Sequence, residues 1–320
     1  MSYGLLKGAF RPADAVCCLR TIVRQHASKV QEQSRCVQHM QKALTQMNIQ
    51  LDNVVSNLMD KTGMAILRTI VAGEPDPHKL ATSRDKRLHA DEETVARSLY
   101  GNWREEHLFS LAQALEYYDF LSQQIQSCNQ LIEQLLNALP QLADNPPKPS
   151  KALRTTAQQK ALHQGLYGVM GVDLTAISTI GIETVLVLAS EIGEDLSRFP
   201  SEANFCFWLN LVPPTCISGG KQLNGKAHRV FNRAGQALRQ AACNARNSNS
   251  FIGASHRARL ARMDKASAHQ LARLIYAMLT KGQPYVEKGI EAFEARTQER
   301  QMKALQRKAQ KFGFELVSVA

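Results

Sequence analysis

The sequence predicts a mainly α protein in which long coiled-coil helices precede a compact helical C-terminal domain carrying a helix-hairpin-helix-like element. Three observations lead there. Leucine, alanine and glutamine are plentiful while aromatics make up only 6% of the 320 residues, a composition that favours helix over sheet. Apolar residues of the first half recur in alternating steps of three and four. The second half holds an Ile-Gly-Ile turn that leads into an apolar, alanine-containing helix.

The first helical signal runs Val37, Met40, Leu44, Met47, Leu51, Val54, Leu58, the a/d spacing of a coiled coil over three heptads. A second series runs Leu108, Leu111, Leu115, Tyr118 and then less regularly through Ile125, Ile132, Leu135 and Leu139. With a helical insert of about 61–106 between them, the two suggest an antiparallel or an intermolecular coiled coil; an ordinary bundle core gives the same periodicity. Asp144-Asn-Pro-Pro-Lys-Pro-Ser150 cannot continue a helix and reads as an extended linker. The expected organisation is therefore a helical region over 16–143, a linker over 144–152, a C-terminal domain over 153–284 and a charged helical tail over 285–320.

Past the linker, Ile177-Ser-Thr-Ile-Gly-Ile-Glu-Thr-Val-Leu-Val-Leu-Ala-Ser-Glu191 has the helix-hairpin-helix pattern. In such a motif Gly181 lets the N–H groups at the second helix's start approach a phosphate, although a glycine turn between any two packed helices looks the same. Lys61-Thr-Gly-Met-Ala-Ile-Leu67 is a poorer copy with no function assigned. Phe205, Trp208 and Leu209 lie on an aromatic helix face and read as core rather than as a platform for bases. A basic helix is expected from Arg229 to Arg246, and a third apolar series (Leu271, Leu274, Ile275, Met278, Leu279) should pack beneath it. The tail helix, Glu294 to Gln310, should end near Gly313.

Charge is unevenly placed. The net charge is +11; residues 1–150 hold 16 basic and 16 acidic side chains, so residues 151–320 carry the whole excess. The stretch from Lys221 to Arg262 has nine basic residues and no acidic one. A solvated helix face would interleave glutamate with lysine, so this stretch reads as a polyanion site, most simply for nucleic acid. No apolar run approaches the roughly 18–20 residues of a membrane span, and Met1 to Pro12 lacks a secretory pattern, which points to the cytoplasm. The seven cysteines form no Cys-x-x-Cys pair and have no histidines at zinc spacing behind them, so buried thiols in a reducing compartment are expected and no metal site.

The candidate chemistry centres on Leu211-Val-Pro-Pro-Thr-Cys-Ile-Ser-Gly-Gly-Lys221. Gly219 and Gly220 beside the Ser218 hydroxyl would let a phosphate approach, and Lys221 and the arginines that follow could neutralise charge built up in phosphoryl transfer. By spacing alone Ser-Gly-Gly is simply a turn, and no adjacent histidine or carboxylate is present to activate the hydroxyl. Lys221, Lys226, Arg229, Asn232, Arg233 and Arg239, with Gly181, Gly219 and Gly220, are the candidate nucleic-acid contacts.

Several stretches resemble the 1111 subgroup of insertion-sequence-110 transposases. They are Tyr3-Gly-Leu-Leu-Lys-Gly-Ala-Phe-Arg-Pro12, His39-Met-Gln-Lys-Ala-Leu-Thr-Gln-Met-Asn48, Ile70-Val-Ala-Gly-Glu74, Ile217-Ser-Gly-Gly-Lys221, Asn232-Arg-Ala234, Ala237-Leu-Arg-Gln-Ala-Ala242, Ala272-Arg-Leu-Ile-Tyr-Ala-Met-Leu279 and the tail from Glu299 to Leu316. The resemblance implies an RNA-guided DNA recombinase of a bacterial insertion sequence. Ser218 would attack a DNA phosphodiester and form a transient phosphoserine. An N-terminal RNase-H-like domain would supply four acidic residues that hold magnesium, and the chain would work in the bacterial cytoplasm, at the nucleoid, as a dimer or tetramer. It also implies that residues 1–15 are the end of that acidic domain and that its four metal-binding positions fall upstream of Met1. Asp14, Asp52 and Asp60 stand in the wrong context to replace them. The expectation is an N-terminally truncated recombinase that holds no metal of its own. The alternative is a catalytically inactive remnant that binds nucleic acid and dimerises through its coiled coil.

Overall fold

The computed structural model describes residues 10–147, 156–193, 195–212, 216–219, 221–224, 232–248, 250, 252–254, 257, 264–282, 299, 302–303 and 305–314. Among these the chain is mainly α, with one short β-hairpin. No described helix is long and apolar enough to cross a membrane. Two compact units are present: residues 22–132, and residues 1–21 together with 133–320. The division falls inside the first and fifth helices.

The first unit is built on α1 (Asp14–Gln46) and α5 (Glu105–Ala138), with α2 (Lys61–Val71), α3 (Pro77–Ala81) and α4 (Glu92–Ser98) between them. The three-four spacing of α1 extends back from Val37 through Val23, Leu19 and Val16, with polar residues at the intervening Gln33 and His26. Gln33 donates from Nε2 to Ser122 Oγ at 2.7 Å, and the Tyr117 hydroxyl donates to Glu32 at 3.1 Å, so α1 and α5 meet within one chain. A polar pair in an apolar seam fixes register at some cost in stability.

Forward of Met47 the heptad expectation fails. Helix α1 ends at Gln46, and Asn48 takes the left-handed conformation at φ 58°. Asparagine reaches that region more cheaply than most residues and so stops a helix there. Leu51 and Leu58, expected on the same helix, instead enter the core of the small helical insert with Ile66, Leu67, Ile70, Leu80, Val95 and Leu99. Buried Val55 takes the place expected of Val54, the mark of a lost helical phase. The weak glycine motif here has a packing role: a Cβ on Gly63 would lie 2.2 Å from the Leu58 carbonyl oxygen.

The second unit is assembled from α6 (Ala157–Met170), a 3-10 turn (Leu174–Ala176), α7 (Ile182–Ile192), α8 (Glu202–Trp208), strands β1 (Cys216–Ser218) and β2 (Lys221–Asn224), α9 (Arg233–Asn244) and α10 (Asp264–Lys281). Helix α6 opens with a capping box: Thr156 Oγ1 accepts from the Gln159 N–H at 3.3 Å and the Gln159 carboxamide oxygen accepts from the Thr156 N–H at 3.1 Å. Helix α9 packs on α7 and on α10, and α10 also packs on α8. Leu271, Ile275 and Met278 are buried on α10, so the third apolar series does lie beneath the basic helix.

Residues from the start of the chain complete this unit. Arg20, on the first turns of α1, donates from Nε to the Ser190 carbonyl at 3.1 Å and from Nη2 to the Glu191 carbonyl at 2.9 Å. Its Nε also lies 3.4 Å from Glu191 Oε2. A cation on the last carbonyls of α7 satisfies acceptors that have no partner within the helix and complements its dipole. Phe10 joins Phe199, Phe205 and Trp208 in a ring cluster with centroid separations of 5.1–6.5 Å.

Candidate functional site

Gly181 is the N-cap of α7, at φ −86° and ψ 168°, with no side-chain cap. A Cβ built on it would meet nothing within 4 Å. The element before it differs from a full helix-hairpin-helix arm: a 3-10 turn precedes Ile177, and α6 comes before that. A buried polar network steadies this connection. His163 Nε2 on α6 lies 3.2 Å from both Asp173 Oδ1 and Thr175 Oγ1, and Thr175 donates its hydroxyl to Asp173 at 2.6 Å.

Ser218 ends β1 and Lys221 begins β2. The strands are antiparallel, with Ser218 opposite Lys221 and Ile217 opposite Gln222, and an irregularity follows before Cys216 meets Asn224. Gly219 has φ +57°, the left-handed conformation that a two-residue hairpin turn requires and glycine supplies without steric cost. The turn at Ser218 and Gly219 is thus as the composition suggests. It is also the tip of a paired ribbon, which its composition does not reveal.

The basic helix begins at Arg233, four residues later than the expected Arg229. Asn232 is its N-cap: Oδ1 accepts from the Gly235 N–H at 2.9 Å while Nδ2 donates to the Trp208 carbonyl at 3.0 Å. The oxygen of this candidate contact therefore caps α9, and its nitrogen ties the start of α9 to the end of α8. Gly235 makes that approach possible, because a Cβ there would lie 2.0 Å from the Leu209 carbonyl oxygen. Arg239 Nε donates to the Gly235 carbonyl one turn back at 3.2 Å. At about 100° per residue, Arg233 and Arg239 stand roughly 120° apart around the helix axis, so they serve different flanks. Ala234, Leu238, Ala241 and Ala242 fill the buried face.

Further along the basic stretch, Arg257 donates from Nη1 to the Arg246 carbonyl at 3.1 Å and the Ser248 carbonyl at 2.8 Å, closing the C-terminal end of α9 and its 3-10 extension. Not all of the cations are therefore laid out for a ligand. Gly220, Lys226 and Arg229 lie outside the described residues. Phe205 and Leu209 are fully buried, as expected of core, and burial pushes the neighbouring Cys206 thiol up to about 11. Phe207, absent from the candidate contacts, is 57% exposed on the other side of α8. An aromatic out of phase with its helix's apolar face was the available signal.

Among the described residues no group of three or more His, Cys, Asp and Glu side chains is placed to hold a metal ion. Asp14 is paired with Arg11 at 2.8 Å. These residues do not fit a magnesium site.

No curated protein matches the chain. Residues 173–260 match the model of the Transposase IS116/IS110/IS902 family, a span that starts at the cap of the 3-10 turn and takes in α7, α8, the Ser218 hairpin and α9. Through that segment the chain is similar to the insertion-sequence-110 family of transposases.

Proposed function

We propose that this chain acts on DNA as part of an insertion-sequence recombinase in which Ser218 attacks a phosphodiester and carries the cut strand as a phosphoserine. The observation that carries this reading is the transposase-family match over residues 173–260, which contains both the serine hairpin and the basic helix. Physical support comes from the acid-free charge of Lys221 to Arg262 and from the uncapped N-terminus of α7 at Gly181. Backbone N–H groups at such a terminus hold a phosphate, and the cations supply sequence-independent affinity.

In this reading the positive half of the chain holds DNA and a guide RNA of the element. The chain works as a homo-oligomer, and the magnesium-holding carboxylates come from an RNase-H-like domain. A chain that meets no such domain binds nucleic acid without moving it.

The test is covalent capture of DNA. A radiolabelled DNA duplex carrying an insertion-sequence end is incubated with the chain together with the acidic domain, and protein–DNA adducts are resolved under denaturing conditions. Ser218→Ala should abolish the adduct and leave DNA affinity within about twofold, since a hydroxyl-to-hydrogen change removes no charge. An adduct that persists in Ser218→Ala would overturn the serine assignment. Binding without any adduct in the unaltered protein would leave the binding-only reading standing.

A further inference from the structure

We infer that Lys221 is the general base that activates Ser218, an inference that rests on Ser218 being the nucleophile. The sequence offers the serine no neighbouring histidine or carboxylate, and a serine without a base is a weak nucleophile. The hairpin supplies the missing partner through its register. Ser218 is the last residue of β1, Lys221 the first of β2, and the two are cross-strand partners on either side of the turn. Directly opposed positions of an antiparallel pair share one face of the ribbon, with Cα atoms about 5 Å apart.

The turn keeps that relation fixed. Gly219 at φ +57° takes the left-handed conformation of a tight turn, whereas a longer loop would slide Lys221 out of register. The charge pattern suits the role as well. Placing a lysine among other cations is one of the ways proteins obtain an amine that accepts a proton, and the stretch that begins at Lys221 carries nine basic residues and no acidic one.

The step balances without a further reactant. The Ser218 hydroxyl proton passes to the neutral Lys221 amine as the oxygen bonds to phosphorus. The bond from phosphorus to the leaving deoxyribose oxygen breaks. That oxygen takes the electron pair and recovers a proton from the Lys221 ammonium, giving a strand with a free hydroxyl and a phosphoserine on the protein. Reversal of the same transfers reseals the strand.

The test uses the full chain alone. A fluorophosphonate ester is the probe, because displacement of fluoride needs a base for the nucleophile but no acid for the leaving group. The labelled position and the rate are read by peptide mapping and intact mass. Ser218 should label ahead of the chain's other serines, and Ser218→Ala should remove that adduct. Lys221→Met should slow labelling at least tenfold, within the range general-base catalysis supplies. Lys221→Arg should be as slow, since a guanidinium keeps the charge but does not give up its proton. Thermal melting follows the fold of each variant, and the arginine variant decides if the methionine variant melts early. Labelling of Lys221→Arg at the unaltered rate would overturn the base and leave a lysine that only attracts phosphate. Failure of Ser218 to label in the unaltered chain, or an adduct that survives Ser218→Ala, would instead overturn the reading of Ser218 as nucleophile.

Discussion

Asn232 and Gly235, at the start of α9, serve the protein's own backbone. The sequence suggested a nucleic-acid partner for Asn232, but the neighbour that both residues accept is the end of α8. A Cβ at position 235 has no room beside the Leu209 carbonyl oxygen at 2.0 Å, and the obstacle is backbone rather than a movable side chain. Gly235→Ala should therefore cost about 1–3 kcal/mol, the usual range for forced overpacking, seen as a lower urea midpoint at unchanged slope. An unchanged midpoint would mean that α8 and α9 do not meet this closely. The cysteines give a second residue-scale expectation. Cys18 and Cys243 are exposed, whereas Cys36, Cys128 and Cys206 are buried and burial raises the thiols of Cys206 and Cys36. A thiol reagent at neutral pH should modify the first two within minutes and reach the buried three only on unfolding. Rapid modification of Cys206 would contradict its place on the buried face of α8. Composition foretold buried thiols as a group, but which of them are buried depends on helix phase.

Helices were legible where the signal was periodic and illegible where one residue decides. The apolar spacing of α1, α5 and α10 appears in the sequence because each turn repeats the same burial. The stop at Asn48 depends on one left-handed residue and broke a heptad series that ran on to Leu58. The β-hairpin was missed for a related reason: a three-residue strand is too short to show a period of two. Caps are the readable exception, since they have a fixed spacing. Thr156→Ala removes the hydroxyl half of the capping box of α6, keeps the backbone N–H that donates to Gln159, and should destabilise the protein by about 1 kcal/mol in chemical unfolding. Asp91 caps α4 and its carboxyl is held below its ordinary value by the Thr94 hydroxyl first and by the Thr94 N–H second. Because the folded value is the lower one, this contribution is present above the unfolded carboxylate's value, about pH 4, and is lost as pH falls through the folded value. Asp91→Ala should thus be less stable than the unaltered chain at pH 7, and the difference should shrink as pH falls below the unfolded carboxylate's value. A difference independent of pH would show that the carboxylate's charge is not what caps α4.

For the whole molecule, the excess charge and the family match fall in the same half of the chain. The excess of +11 resides there, and residues 173–260 lie within it. Reversing Arg233 and Arg239 to glutamate should weaken DNA binding at least tenfold and flatten its salt dependence by roughly one unit of slope for each phosphate that is no longer neutralised. Fluorescence anisotropy across a salt series measures both, and unchanged affinity would remove α9 from the interface. The two arginines stand on different flanks of the helix, so single reversals should differ in size. Charge counting does not separate cations free to meet a ligand from those such as Arg257 that close the protein's own carbonyls.

The bonds from Arg20 to the end of α7 set a timetable for biosynthesis. Their partners are 170 residues apart, which at about 5–20 residues per second leaves Arg20, Val16 and Leu19 waiting on the order of 10–30 s before α7 has been made. The first turns of α1 leave the ribosome well before α7 and find their place only once α7 has followed. In the interval an apolar stripe is open to chaperones, or to the same stripe on another nascent chain.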